Sequence, residues 1–136
     1  MSKIKFLDET TLEISELYGC VTEHPECIIP FVRSAADLLM IVGMKDLSWD
    51  TGNVTGMAQS ILEKSGKQNY KISRYAELGH FPELPYFPIS CYDNHVLVPK
   101  GVKMYLGGGD RKDLVSKEIV ALWKEIVEFF DKSLRK

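Results

Sequence analysis

With 136 residues, 45% hydrophobic and 26% charged, the chain has the size and composition of about one ordinary globular domain, able to bury a core without disulfides or metal. A formal net charge of −2 offers no basic surplus to a polyanion, so nucleic acid is not expected as a partner. No apolar run approaches the roughly 20 residues of a membrane-crossing helix, and the opening MSKIKFLDETT has no apolar signal stretch, so no membrane span and a cytoplasmic location are expected.

Residues 1 to 35 read as a connecting segment, in which short apolar alternations give way to the turn signals Gly19, Pro25 and Pro30. Its cysteines, Cys20 and Cys27, together with Cys91 make an odd set at irregular spacing, unlike a disulfide framework. His24 and Cys27 form an H-x-x-C, but no second ligand pair follows at zinc spacing, so no metal is expected. ADLLMIVG, residues 36 to 43, is a continuous apolar run closed by glycine, as in a strand buried on both faces of a parallel sheet.

From Thr55 to Lys64 the positions Met57, Ala58, Ile61 and Leu62 recur at helical spacing, with Asp50, Thr51 and Asn53 as candidate caps and Gly66 as a stop. NYKISRY, residues 69 to 75, alternates as a strand does. Strand, helix and strand in about 40 residues make a crossover unit, so the expected class is α/β with parallel strands and flanking helices. Residues 81 to 112 are expected to be irregular, with four prolines and Gly107 to Gly109, which suit a plain turn or, alternatively, a phosphate cradle. A closing helix is expected from Asp113 onward, with Val115, Ile119, Leu122, Trp123, Ile126, Phe129 and Phe130 on one apolar side.

Parallel sheets gather chemistry in the loops past the carboxyl ends of their strands. Asp46 lies three residues past Gly43, and His80 five past Tyr75. If the two strands are neighbours, Asp46 meets the imidazole of His80 and fixes its tautomer, giving two members of an acid, base and nucleophile triad. The third member is not found, since no G-x-S-x-G or G-x-C-x-G elbow occurs in the 136 residues and GNVTG at 52 to 56 has valine at its centre. Cys20, in YGCVT, lacks the second flanking glycine. His24 and His95 read as surface histidines, Phe81, Tyr86 and Phe87 as packing anchors of their loop, and Trp49 and Trp123 as core or interface residues.

DLLMIVGMKDLSW, GHFPELPYFP and the later LGGGD and LWKEIVEFFDKSL resemble the carboxy-terminal domain of the acyl-CoA thioesterases and bile acid-CoA:amino acid N-acyltransferases, over nearly the whole chain. The resemblance implies the carboxy-terminal portion of an α/β-hydrolase fold, over residues 36 to 136, with Asp46 as the acid and His80 as the base. It further implies an acyl-CoA thioester as substrate, with no other cofactor. Hydrolysis to fatty acid and coenzyme A is the expected reaction, transfer to glycine or taurine is the alternative, and a non-catalytic remnant is the third reading. Departures from the family's pattern are Lys45 in place of an aspartate, Leu84 for proline, Leu106 for tryptophan, and no histidine at the start of the last helix. The family's amino-terminal domain, oxyanion loop and nucleophile elbow have no counterpart in these residues, so the isolated chain is expected to self-associate through an exposed sheet edge. SLRK at the end is not an S-K-L peroxisomal address.

Overall fold

The computed structural model describes residues 4–14, 25–89, 92–93, 101–108 and 111–135. In chain order these hold β1 (Lys5–Phe6), β2 (Thr11–Glu13), β3 (Leu38–Gly43), α1 (Thr51–Ser65), β4 (Tyr70–Tyr75), β5 (Tyr92–Asp93), β6 (Lys103–Tyr105) and α2 (Lys112–Leu134), with short 3-10 turns at Pro25–Cys27 and Phe31–Arg33. The class is mixed α/β.

The expected parallel pair is present. β3 and β4 run side by side over six residue pairs, from Leu38 opposite Tyr70 to Gly43 opposite Tyr75. Alternation along a strand puts Lys71, Ser73 and Tyr75 on one face with Ile41, and Arg74 on the other with Val42. α2 covers the first face: Leu78, Val115, Ile119 and Leu122 form a buried cluster flanked by Ile41, Tyr75, Ile89, Trp123 and Ile126. Glu125 of α2 accepts hydrogen bonds from Ser73 and Tyr75 and an ion pair from Lys71. α1 covers the second face, where its Gln59 accepts from Arg74 and Ala58 and Leu62 are buried, as is Val42. A fully buried leucine of this kind stabilises by about 1.5–3 kcal/mol.

α1 starts one turn earlier than its apolar spacing indicates. The Asp50 carboxylate accepts from the Asn53 amide at 3.2 Å, so the cap draws Thr51 to Val54, which lack the apolar period, into the helix. Gly66, at φ 72, ends it in the left-handed conformation. The apolar side of α2 is narrower than its sequence suggests, since Phe130 is 54% exposed.

A second sheet was not anticipated. β1 pairs antiparallel with β2, β2 parallel with β6, and β6 antiparallel with β5. Two of its strands lie in the stretch expected to be connecting and two in the stretch expected to be irregular. They are two or three residues long, too short to show a period, and the β2–β6 pair at the centre joins residues about 90 apart, Thr11 opposite Lys103. Leu12, Ile14, Met104 and Leu106 form its buried cluster.

Candidate active site

At the carboxyl ends of β3 and β4 the two chains pass so closely that side chains are excluded. A Cβ on Gly43 would lie 2.4 Å from the Gly79 carbonyl oxygen, and one on Gly79 would lie 2.3 Å from that of Gly107. Backbone bonds extend the pairing past the strands: Met44 N–H donates to Tyr75 O at 2.9 Å and Lys45 N–H to Leu78 O at 3.0 Å. The loops carrying Asp46 and His80 are thereby held against each other.

Asp46 turns back on its own strand, its N–H donating to Gly43 O at 3.2 Å. Its Oδ1 accepts from the amides of Ser48, at 2.9 Å, and Trp49, at 3.0 Å. These bonds fix the orientation of the carboxylate. His80 Nδ1 lies 3.1 Å from Oδ2 and 3.2 Å from Oδ1. An ionised carboxylate only accepts, so Nδ1 carries the proton and donates, which leaves Nε2 with its lone pair for an incoming proton. The Asp46 side chain is 5% exposed and that of His80 25%. The carboxylate is enclosed while the ring still reaches the outside.

A cleft of about 320 Å³ opens at the couple, lined by Ile41, Trp49, Val54 and Leu78 as well as by Asp46 and His80. Its walls are mostly apolar. A larger hollow of about 470 Å³ lies at the opposite end of the pair, beside Tyr70 and Lys71. That is the amino end of β4, away from the loops where parallel sheets place chemistry, and its Lys71 and Glu125 are already paired.

Several partners of the couple escaped sequence reasoning. Lys45, immediately before Asp46, forms an ion pair with Glu77, three residues before His80, and the Glu77 amide donates to Glu118 of α2 at 2.8 Å. The lysine that replaces the family's first aspartate therefore directs its charge into a carboxylate. The Leu106 carbonyl accepts from both Leu47 N–H and His80 N–H. Beforehand, Lys45 and Leu106 stood out only as departures from the family's pattern.

The remaining sequence candidates fall into place around the couple. Trp123 is half-buried and donates its indole N–H to Glu83 O at 2.7 Å, tying the proline-rich loop to α2. Phe81 tilts against the His80 ring, with centroids 4.9 Å apart, whereas Tyr86 and Phe87 face outward. Tyr86 stands at φ 70, and the Phe87 amide closes a turn onto Leu84 O. Trp49 is 48% exposed at the cleft wall. GNVTG lies inside the first turns of α1, which is not the strand-to-helix bend of an elbow. Cys27 is exposed, while Cys20, His24, Cys91, His95 and Gly109 lie outside the described residues. Among the described residues no group of three or more His, Cys, Asp or Glu is placed to hold a metal, and no helix is long and apolar enough to cross a membrane.

A parallel strand pair between two helices, with an acid and a histidine joined past its carboxyl ends, defines the class of site. The model of the family described as "BAAT / Acyl-CoA thioester hydrolase C terminal" matches residues 1–136, and the chain belongs to that family. It is 30% identical over 132 residues to the rat protein named acyl-coenzyme A thioesterase 2, mitochondrial, covering 97% of this chain and 28% of the relative. It is 33% identical over 136 residues to human acyl-coenzyme A thioesterase 6, covering 98% of this chain and 31% of the relative. With the mouse peroxisomal succinyl-coenzyme A thioesterase it shares 31% identity over 128 residues, 94% of this chain and 29% of the relative. The chain thus spans less than a third of the length of these relatives.

Proposed function

We propose that residues 36 to 136 form the acid and base portion of an acyl-CoA thioester hydrolase of the α/β-hydrolase type, with residues 1 to 35 leading into it. The observation that carries this reading is the Asp46–His80 contact at the carboxyl ends of adjacent parallel strands. The names of the relatives supply the thioester substrate.

In the assembled site a Ser or Cys nucleophile from outside these 136 residues attacks the thioester carbonyl while His80 Nε2 takes its proton. The tetrahedral species collapses, the carbon–sulfur bond breaks, and His80 returns that proton to the departing coenzyme A sulfur. Water then enters, His80 Nε2 takes one of its protons as the water oxygen bonds to the acyl carbon, the acyl–enzyme bond breaks to give a free acid, and His80 returns the proton to the departing nucleophile. Asp46 keeps the imidazole in the Nδ1–H tautomer and stabilises the imidazolium at each transfer. A glycine or taurine amine in place of water gives an N-acyl conjugate. Relatives named as mitochondrial and peroxisomal make organelles alternatives to the cytoplasm.

A second reading has its own observation. The chain carries no nucleophile elbow, so by itself it is a non-catalytic family member that keeps the couple without turnover. The two readings separate in a chimera in which residues 1 to 136 replace the matching stretch of the rat thioesterase. The proposal expects thiol release from a long-chain acyl-CoA and its loss in His80→Ala. Turnover that survives that substitution sinks it.

A further inference from the structure

We infer that Leu106–Gly108, the segment leaving β6, is the positioning element that holds the acid loop and the histidine loop in register. The inference rests on reading Asp46 and His80 as acid and base. One carbonyl oxygen, that of Leu106, accepts from Leu47 N–H at 3.4 Å and from His80 N–H at 3.0 Å. It therefore ties the residue next to the acid to the base itself. Without it, two amides in the interior of the site have no backbone acceptor, which is costly.

The two glycines after Leu106 permit this approach. Gly107 sits at φ +82, and a Cβ there would stand 1.6 Å from Lys45 O; Gly108 sits at φ +74, and its Cβ would stand 2.7 Å from Gly79 N. Positive φ already disfavours any side chain at these positions, and both closures are against backbone that has no rotamer to yield. The segment is anchored at its other end, because Leu106 is 1% exposed in a cluster with Leu12, Ile14 and Met104.

The consequence is a coupling between the two sheets. β3 and β4 bring the two loops side by side, but a loop of several residues past a strand end is free to shift its side chain by an ångström, and alignment at that scale decides catalysis. The second sheet removes that freedom through Leu106–Gly108. Residues far from the cleft, in β2 and β6, thereby influence the Asp46–His80 distance.

The test uses the ¹⁵N-labelled full chain and reads two things: the low-field Nδ1–H signal of His80, and the exchange of the Leu47 and His80 amides. In the unmodified chain both amides are expected to exchange at least about tenfold more slowly than unprotected amides. Gly107→Ala is expected to abolish the Nδ1–H signal and the protection of both amides while those of α1 and α2 keep theirs. Gly56→Ala, where a Cβ meets open space, is expected to change neither. A folded Gly107→Ala chain with signal and protection intact overturns the inference, as do unprotected Leu47 and His80 amides in the unmodified chain. Should Gly107→Ala fail to fold, the milder intrusion of Gly108→Ala and the unmodified exchange rates decide. An intact signal in a chimera that releases no thiol refutes the thioesterase reading alone; lost register in an active chimera refutes only this one.

Discussion

Asp46 shows how a single side chain serves both its loop and its neighbour. Its Oδ1 closes the turn by accepting from Ser48 and Trp49, and both carboxylate oxygens face His80 Nδ1. Asp46→Asn keeps an oxygen for one task but turns an N–H donor toward the ring or the amides, so the imidazole adopts the wrong tautomer. In the active chimera kcat is expected to fall about 10⁴-fold, with little change in KM; a drop under tenfold would remove Asp46 from the mechanism. The meeting of Asp46 and His80 was legible because each sits a few residues past a recognisable strand. Glu77 and the Leu106 carbonyl were not, since they reach the couple only through packing with α2 and β6.

Helix docking has its own signature at the level of elements. Burial alone raises the pKa of Glu125, but hydrogen bonds from Lys71, Ser73 and Tyr75 outweigh it, leaving the carboxyl below its ordinary 4.5. The folded chain then binds that proton less readily than the unfolded one, so this contribution to stability is complete above about pH 4.5 and is lost as pH falls through the lower folded value. Tyr75 runs the other way: burial, and then the adjacent Glu125 carboxylate, raise its phenol above the ordinary 10, so stability declines as pH climbs past about 10. Melting temperatures of the chain and of Glu125→Gln between pH 3 and 7 check the acid arm, where the variant is expected to show the flatter profile.

Two substitutions probe the helices directly. Leu122→Ala, at a fully buried position of α2, is expected to cost about 2–5 kcal/mol in a denaturant titration. Gly66→Ala, at the left-handed end of α1, is expected to cost about 1 kcal/mol; an unchanged midpoint would show that the cap carries no weight. The helices and the β3–β4 pair were readable because 3.6-residue spacing, a continuous apolar run and glycine stops are local signals. The start of α1 was marked by the candidate cap Asp50 and not by the apolar spacing, which begins one turn later. The second sheet was not readable, because pairing across the length of the chain is a long-range property.

For the whole molecule, the central proposal is that Asp46 and His80 form an acid–base couple served by a nucleophile outside these 136 residues, in which no G-x-S-x-G or G-x-C-x-G elbow occurs. Among the described residues β3 and β4 each pair on one side only, and Val120, Val127, Phe130 and Leu134 of α2 face outward. An unpaired strand edge beside exposed apolar residues favours association, so sedimentation is expected to show self-associated species that grow with concentration, whereas a monomer at all concentrations with a cooperative melt would contradict this. The most direct measurement is thiol release from a long-chain acyl-CoA by the isolated 136-residue chain, run beside the chimera and the His80→Ala form of each. The account predicts no release above buffer from the chain alone and His80-dependent release from the chimera. Release by the chain alone that disappears with His80→Ala would contradict it, since the nucleophile would then lie within these residues.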